Sequence, residues 1–121
     1  MALAALPLMA KAEGAMREFD CVAARYCTET GDCVPSDRAI LFRLEPQNID
    51  QDGAGTYLIS YGDVTTEAHQ TGAIGPILWA EGANDKQSLM PLSEGRLLWH
   101  RLDLAKAPES RVIFLNCEVT R

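Results

Sequence analysis

The chain has 121 residues, 47% of them hydrophobic and 23% charged, a size and composition typical of one globular domain with a single core. It carries 17 acidic and 11 basic residues, a formal net charge of −6, and it contains no run of lysines or arginines. Binding to a nucleic-acid backbone requires clustered basic side chains that displace counterions from the phosphates. We therefore expect no nucleic-acid partner.

Residues 1–12 have the composition of an export signal. An apolar stretch runs from Ala2 to Ala10 and is followed by Lys11 and Ala12. The small residues Ala10 and Ala12 flank Lys11, which is the pattern that signal peptidase recognises before a cleavage site. No basic residue precedes the apolar stretch, as one usually does, and a short buried helix is the alternative. We predict cleavage after Ala12, a single domain over 13–121, and a periplasmic or secreted protein. The stretch is too short to cross a bilayer as a helix, so we expect no transmembrane segment in the mature form.

The segment that follows, residues 13–26, carries apolar side chains at intervals typical of a helix. These side chains are Met16, Phe19, Val22 and Tyr26. We predict a short helical or irregular segment here, which also contains the first cysteine.

Four cysteines in a small exported domain are most simply two disulfides. Sequence alone leaves three pairings open. A turn-forming Thr-Gly-Asp between Cys27 and Cys33 favours joining those two, which leaves Cys21 and Cys117 to tie the chain ends together. In the chain-entropy model, closing that long loop contributes about 4–5 kcal/mol. The first three cysteines are spaced more widely than the ligands of a structural zinc, so disulfides are the better interpretation.

After Pro35 the sequence alternates short apolar runs with Gly, Asn, Asp and Pro, which is typical of an antiparallel meander. Residues 46–55 are a polar loop, and Gly62-Asp63 predicts the clearest hairpin turn. The predicted strands are Ala39–Leu44, Thr56–Tyr61, Val64–His69, Ile74–Ala80, Gln87–Leu92, Arg96–Leu102 and Arg111–Val119.

The order of these elements predicts a mainly β fold. No predicted helix is long enough to connect parallel strands, so about seven strands should form an antiparallel sheet. Such a sheet closes into a small barrel or folds into a two-sheet sandwich. On the last strand Ile113, Leu115 and Cys117 share one face, while Val112 and Phe114 share the other.

Residues that could carry chemistry are few. His69 and His100, with Asp63, Glu67 and Asp103 nearby in sequence, do not provide metal ligands at a recognisable spacing. No serine has an evident partner base, and the chain lacks a Cys-x-x-Cys pair, a nucleophile elbow and a phosphate-binding glycine loop. We expect no metal, no cofactor and no enzyme activity.

The aromatic residues Trp79, Trp99 and Phe114 are the candidate contacts for a partner. Aromatic side chains on strands more often pack in a core. Because Phe114 lies opposite the face that carries Cys117, either both faces of the last strand are covered, as in a closed barrel, or one face is available to a partner.

Residues 19–21, the Leu98-Trp99 strand and Cys117 give the chain a layout that resembles the small Gram-negative β-barrel inhibitors of c-type lysozyme. The resemblance implies an exported barrel that binds a basic enzyme, for which an acidic chain is suited. That family carries a Ser-Gly-x-x-Tyr loop, and the nearest segment here, Thr71–Gly75, lacks both the Ser and the Tyr; the pair Cys27 and Cys33 is also additional. The segment FDCVAARYCTETGDCVPS resembles more closely a group of uncharacterised exported proteins of alphaproteobacteria, which implies a compartment and no activity.

Three functions are consistent with these features. The first is an inhibitor or accessory domain that acts on a protein partner in the cell envelope. The second is a lipocalin-like barrel that encloses an apolar ligand, although about seven strands leave little interior space. The third is a structural subunit of an envelope assembly. The oligomeric state follows from none of them.

Overall fold

A computed structural model describes residues 16–72, 75–105 and 109–120, so the predicted export signal lies outside the described residues. Within those residues the chain forms nine β-strands. The same residues contain no helix that is long and apolar enough to cross a membrane. The strands are β1 (Arg17–Thr28), β2 (Cys33–Pro35), β3 (Ala39–Ile49), β4 (Gly55–Tyr61), β5 (Val64–Gln70), β6 (Ile77–Gly82), β7 (Asp85–Pro91), β8 (Arg96–Asp103) and β9 (Glu109–Thr120).

Eight of the strands form a closed antiparallel barrel. From β3 to β9 each strand pairs with the next along the chain, and β1 closes the barrel by pairing with both β3 and β9. The remaining strand, β2, pairs with β1 beyond the point where β3 begins. Closure satisfies the backbone groups that an open sheet would leave exposed at its two edges. Of the two architectures that the sequence predicts, the barrel is the one observed.

The first strand begins within the segment for which the sequence predicts a short helical or irregular conformation. Phe19, Cys21 and Ala23 alternate into the barrel interior, with the two-residue period of a strand. The helix-spaced set would place Val22 beside Phe19, but Val22 is 44% exposed on the outer wall. Pairing with two neighbouring strands satisfies the backbone of β1 and overrides the weak helical spacing.

The third strand is longer than predicted, because it continues through Pro46 to Ile49 where the sequence indicates a loop. The pairing of β1 with β3 ends at Leu44, so the missing N–H of Pro46 costs no ladder bond on that side. On the other side β3 stays paired with β4 across a bulge at Gln47. The turn between β3 and β4 is therefore confined to residues 50–54, whereas the sequence predicts a loop over residues 46–55.

Side chains from all eight barrel strands fill the interior. At one level four aromatic rings pack together with centroids 5.1–5.7 Å apart; they belong to Phe42, Tyr61, Trp79 and Trp99. The largest fully buried side chains among the described residues are Phe42, Leu44, Ile59, Ile77, Leu89, Ile113, Leu115 and Cys21. An eight-stranded barrel has an interior just wide enough for such a packed core.

Two disulfides link β1 to its neighbours, and their pairing is the one that the sequence favours. Cys21 bonds to Cys117 directly across the β1–β9 seam where the barrel closes. Cys27 bonds to Cys33 across β1 and β2 at the end of the barrel where β1 leaves β3, and we call this bond the rim disulfide. Two disulfides are compatible with an oxidising, extracellular compartment.

The two ends of the barrel differ. At the end where β1 begins, which we call the closed end, the Arg17 guanidinium lies 5.7 Å from the ring centroids of Phe19 and Tyr57. It also donates a hydrogen bond of 3.0 Å to Oε1 of Gln70, whose side chain is buried. These groups cover the core. The opposite end, which carries the β4–β5 turn and the β1–β2 hairpin, we call the open end.

Candidate binding cleft at the open end

An open cavity of about 770 Å³ lies at the open end of the barrel. We call it the cleft. Residues of β1, β3, the β4–β5 hairpin, β6, β8 and β9 line it. Its volume is within the range that is common for ligand sites, about 300–1,000 Å³.

Unequal strand lengths produce the cleft. The pairing of β4 with β3 begins only at Arg43, so residues 39–42 of β3 pair with β1 on one side and with no described strand on the other. The β4–β5 hairpin has already turned at Gly62, whose φ of 56° suits a glycine. On the far side of β1, pairing with β9 continues to Thr28. The wall is therefore lower at β4 and β5 than at β1 and β9, and the difference leaves a notch.

The cleft crosses the uncovered edge of β3. Ile40 alternates toward the barrel interior, whereas Leu41 and Arg43 alternate toward the outer wall, yet all three line the same cavity. Side chains from opposite faces of a strand can line one cavity only where no neighbouring strand covers the edge between them. The cleft is thus a notch in the wall as well as an opening at the end.

Hydrogen-bonded side chains form the floor of the cleft. The indole Nε1 of Trp79 donates to the Tyr61 hydroxyl at 3.1 Å, and that hydroxyl donates to the Glu81 carboxylate in a short hydrogen bond. Burial, followed by the neighbouring Glu81, raises the pKa of the Tyr61 hydroxyl far above its ordinary value of 10.0. Tyr61 therefore stays protonated and remains a donor to Glu81 throughout the neutral range.

A second branch of hydrogen bonds runs through Gln87. Its Oε1 accepts from Nε1 of Trp99 at 2.8 Å, and its Nε2 donates to Asp85 at 3.0 Å. Because an indole N–H can only donate, the orientation of the Gln87 amide is fixed. We call the two branches together the polar layer; it consists of Tyr61, Trp79, Glu81, Asp85, Gln87 and Trp99.

Arg101 joins the two branches of the polar layer. Its guanidinium lies 3.7 Å from carboxylate oxygens of both Glu81 and Asp85, and 5.1 Å from the centroid of the Trp99 ring. Burial alone would raise the pKa of Glu81, but hydrogen bonding from Tyr61 and the charge of Arg101 outweigh it. The pKa of Glu81 therefore lies below its ordinary value of 4.5, and the carboxylate is ionised at neutral pH.

Positive charge is concentrated at the cleft, although the chain as a whole is acidic. Four of the eight arginines line it, against the two carboxylates of Asp63 and Glu81. The four are Arg38, Arg43, Arg101 and Arg111. The local balance therefore has the opposite sign to the net charge of −6.

Two of these arginines have no carboxylate partner among the described residues. Arg43 is paired with Glu18 at 2.8 Å, and Arg101 is held as described above. Arg38 has only a 3.5 Å contact with the Tyr26 hydroxyl, and no described carboxylate pairs with Arg111. A guanidinium with open donor positions is suited to bind a carboxylate through two parallel hydrogen bonds.

The three aromatic residues predicted to contact a partner lie at two different places. Trp99 is only 4% exposed but lines the cleft, and Trp79, 6% exposed, lies in the polar layer beneath it. Phe114 is 39% exposed on the outer wall, where Leu98 and Arg25 are its cross-strand neighbours. The structure thus brings Trp79 and Trp99 together and keeps Phe114 apart from them.

Sequence reasoning did not select the arginines of the cleft. Arg38 and Arg111 are 73 positions apart, from 38 to 111, and no local motif surrounds either of them. Only the register of β1, β3 and β9 brings them to one cavity. Tyr26 also lines the cleft, although its spacing in the sequence predicts a place in the short helical segment.

The histidines lie outside the cleft. His69 is exposed on the outer wall together with Glu67, and the described residues contain no group of three or more His, Cys, Asp or Glu that could hold a metal ion. His100 Nε2 lies 2.7 Å from Ser110 Oγ, a pairing that sequence reasoning did not indicate. No described carboxylate bonds to the His100 ring, so a Ser-His-Asp arrangement is not formed by the described residues.

The segment that corresponds to the lysozyme-binding loop in the resemblance, Thr71–Gly75, connects β5 to β6 at the closed end, and residues 73 and 74 of it lie outside the described residues. No family model, curated protein or solved structure matches the chain. Function is therefore inferred from the geometry of the cleft itself.

Proposed function

We propose that the protein is a periplasmic or secreted binding protein that contacts a protein partner through the open end of its barrel. The observation that carries this proposal is the cleft, in which Arg38 and Arg111 lack carboxylate partners among the described residues above an ordered aromatic floor. A concave surface that combines aromatic side chains with a few polar groups is the usual composition of a binding site.

The polar layer supports the proposal because it orders the floor before any partner arrives. Tyr61, Trp99 and Arg101 line the cleft and are each held by hydrogen bonds, ion pairs or ring contacts. Side chains that are already fixed lose little conformational freedom on binding, and this improves affinity.

The packed interior favours this proposal over a barrel that encloses an apolar ligand. Phe42, Leu44 and Ile59 are fully buried on the barrel axis side of their strands, so side chains occupy the space that a lipocalin-like ligand would need. The space at the open end is lined by charged groups as well as aromatic ones.

The charge of the cleft favours a partner that presents carboxylates. A partner with basic character, as net charge alone suggests, would be attracted at long range but would meet arginines at the cleft. At contact distance the charge of the cleft determines which partner is favoured, because salt screens interactions between exposed charges beyond about 8–10 Å.

One feature supports a structural subunit as the second candidate function. Met90, Leu98 and Phe114 are direct cross-strand neighbours on the outer wall of β7, β8 and β9, and Met90 and Phe114 are both exposed. An apolar row of this kind is a possible contact surface within an assembly.

Affinity capture from the envelope and secreted fractions of the source organism distinguishes the two candidates. We expect the double substitution Arg38→Ala with Arg111→Ala to lose a stoichiometric partner that the unmodified protein and the Phe114→Ser variant both retain. Loss through Phe114→Ser alone would instead support the structural role. Recovery of no stoichiometric partner by the unmodified protein would remove the proposal.

A further inference from the structure

The uncovered edge of β3 is a second recognition element beside the cleft. We propose that this edge, at Ala39–Phe42, receives an extended acidic segment of the partner polypeptide, which adds to the sheet as a further strand. The inference rests on the proposed function and specifies the chemistry of the partner: exposed backbone in a β conformation, with a carboxylate within reach of the cleft arginines.

The register shows which backbone groups are available. The Arg38 carbonyl accepts a 2.8 Å hydrogen bond from the Ala23 N–H of β1. Successive residues of a strand direct their N–H and C=O groups to opposite sides, so Ile40 faces β1 in the same way. Ala39 and Leu41 then direct their N–H and C=O groups to the side where no described strand pairs with them.

The free edge is short and bounded. At its lower limit Arg43 pairs with Ser60, so β4 covers the next position that faces this side. At its upper limit β3 itself begins at Ala39, and the nearest preceding strand, β2, ends at Pro35, which has no N–H. An incoming strand can thus form on the order of four backbone hydrogen bonds, two at each of Ala39 and Leu41.

Between Ala39 and Phe42 this edge carries none of the features with which natural sheets usually protect a free edge. Charged side chains, prolines or bulges normally discourage pairing with another chain. Here the side chains of Ala39, Ile40 and Leu41 are uncharged, and Leu41 is exposed on the outer wall. Edges of this type are used in peptide recognition, where the main chain supplies affinity and neighbouring pockets supply specificity.

The charges beside the edge determine the occupant. Arg38 immediately precedes β3 and Arg43 lies on it, so the two flank Ala39–Phe42, and Arg111 lies across the cleft. A second copy of this chain paired edge to edge would bring its own Arg38 and Arg43 close to these residues, and like charges at that distance repel. An acidic segment meets arginines that can bond its carboxylates bidentately.

Selection from a displayed library of random peptides tests the inference on the whole disulfide-bonded protein. We expect the enriched peptides to be rich in β-branched residues and to contain Asp or Glu. Leu41→Pro removes the N–H that faces the free edge and should weaken binding of these peptides by about tenfold, because the hydrogen bond donated by that N–H is lost. Leu41→Ala keeps that N–H and should bind nearly as well as the unmodified protein.

Amide hydrogen exchange is the second measurement, and it does not depend on the proline variant being folded. Addition of an enriched peptide should slow exchange at Ala39 and Leu41 without a comparable change at Ile40, whose N–H already faces β1. Arg38→Gln with Arg111→Gln should reduce affinity for the acidic peptides, whereas Arg25→Gln on the outer wall should not.

Several outcomes would overturn strand addition: no peptide enriched, peptides without acidic residues, equal binding to the proline variant, or unchanged exchange at Ala39 and Leu41. Sedimentation that shows a dimer abolished by Leu41→Pro would assign the edge to a second copy instead. Capture of a partner through the cleft together with any of these outcomes would leave the proposed function intact and remove only the strand addition. If the peptides bind as expected but no partner is captured, the edge still accepts an acidic strand and the proposed function is removed.

Discussion

Both ends of the barrel place an arginine over aromatic rings, yet only one end is covered. At the closed end Arg17 lies over Phe19 and Tyr57; at the open end Arg101 lies over Trp99 at 5.1 Å. The arginine and its aromatic neighbours therefore do not decide whether an end is open. The difference lies in strand length, because β4 and β5 end below the level that β1 and β9 reach.

The comparison also separates the two ends by what their polar groups do. At the closed end the guanidinium of Arg17 is bonded to a buried amide, that of Gln70. At the open end the buried amide of Gln87 accepts a hydrogen bond from Trp99 and donates one to Asp85. Arg38 and Arg111 have no carboxylate partner among the described residues. The closed end contributes to stability, and under the proposed function the open end also receives the partner.

The largest expected effect is a contrast between the two disulfides. Replacing Cys21 and Cys117 by alanine removes a link across a sequence separation of 96 and should lower the free energy of unfolding by about 4–5 kcal/mol. Replacing Cys27 and Cys33 opens a link across a separation of only 6 and should cost about 2 kcal/mol.

Urea unfolding of the two double variants measures both costs. The rim disulfide should nevertheless matter more for binding, because it holds the hairpin that carries Tyr26 beside the cleft. Equal losses of stability, or unchanged peptide binding without the rim disulfide, would contradict this division.

The next effect concerns the polar layer at the open end. Gln87→Leu leaves the buried Trp99 N–H without its acceptor and should destabilise the fold by about 1–3 kcal/mol. Trp99→Phe removes the donor, so adding Gln87→Leu in that background should cost clearly less. A double-mutant cycle from thermal unfolding gives the coupling, and purely additive costs would show that this hydrogen bond contributes little.

At the closed end Arg17→Met should have a smaller effect. It removes one hydrogen bond to Gln70 and the contacts with two rings, together about 1–2 kcal/mol, but keeps an unbranched apolar stem over the core. Peptide binding at the cleft should be unchanged. A loss of binding in a variant with native unfolding behaviour would mean that the two ends are coupled through the barrel.

The smallest effect is a dependence of stability on pH. The pKa of Glu81 is lowered in the folded protein, so its contribution is present above the ordinary value of 4.5 and is lost as the pH falls through the folded pKa. Glu81→Gln should therefore flatten the acid limb of a plot of unfolding free energy against pH. Glu67→Gln on the outer wall is the matched control, and identical slopes for both variants would contradict the role of Glu81.

Much of the barrel could be predicted from sequence because its signals are local. Alternating apolar residues and turn formers such as Gly62-Asp63 indicate most of the strands from β3 to β9. The first strand was missed because its apolar residues also fit a helical spacing, and two neighbouring strands decide its conformation. The second strand is three exposed residues long and has no pattern of its own.

The cleft could not be predicted, because it depends on where pairing stops rather than on what each strand contains. Nothing in residues 39–42 indicates that β4 will reach only Arg43. The arginines gather there through strand register, which no local motif encodes. Trp99 was selected as an aromatic residue, but its place at the floor of the cleft follows from the same register.

The seam between β1 and β9 also has a consequence for the order of events in folding. Apart from this seam, every barrel contact joins strands that are close in sequence: consecutive strands from β3 to β9, and β1 with β3. Most of the meander can therefore assemble as the chain becomes available. The partner of Cys21, Cys117, is 96 positions away along the chain, whereas Cys27 and Cys33 are close to Cys21 in sequence. Early bonds from Cys21 to either neighbour have to be exchanged before the barrel can close. Alkylation of free thiols at intervals during oxidative refolding should find Cys117 among the last cysteines to be protected.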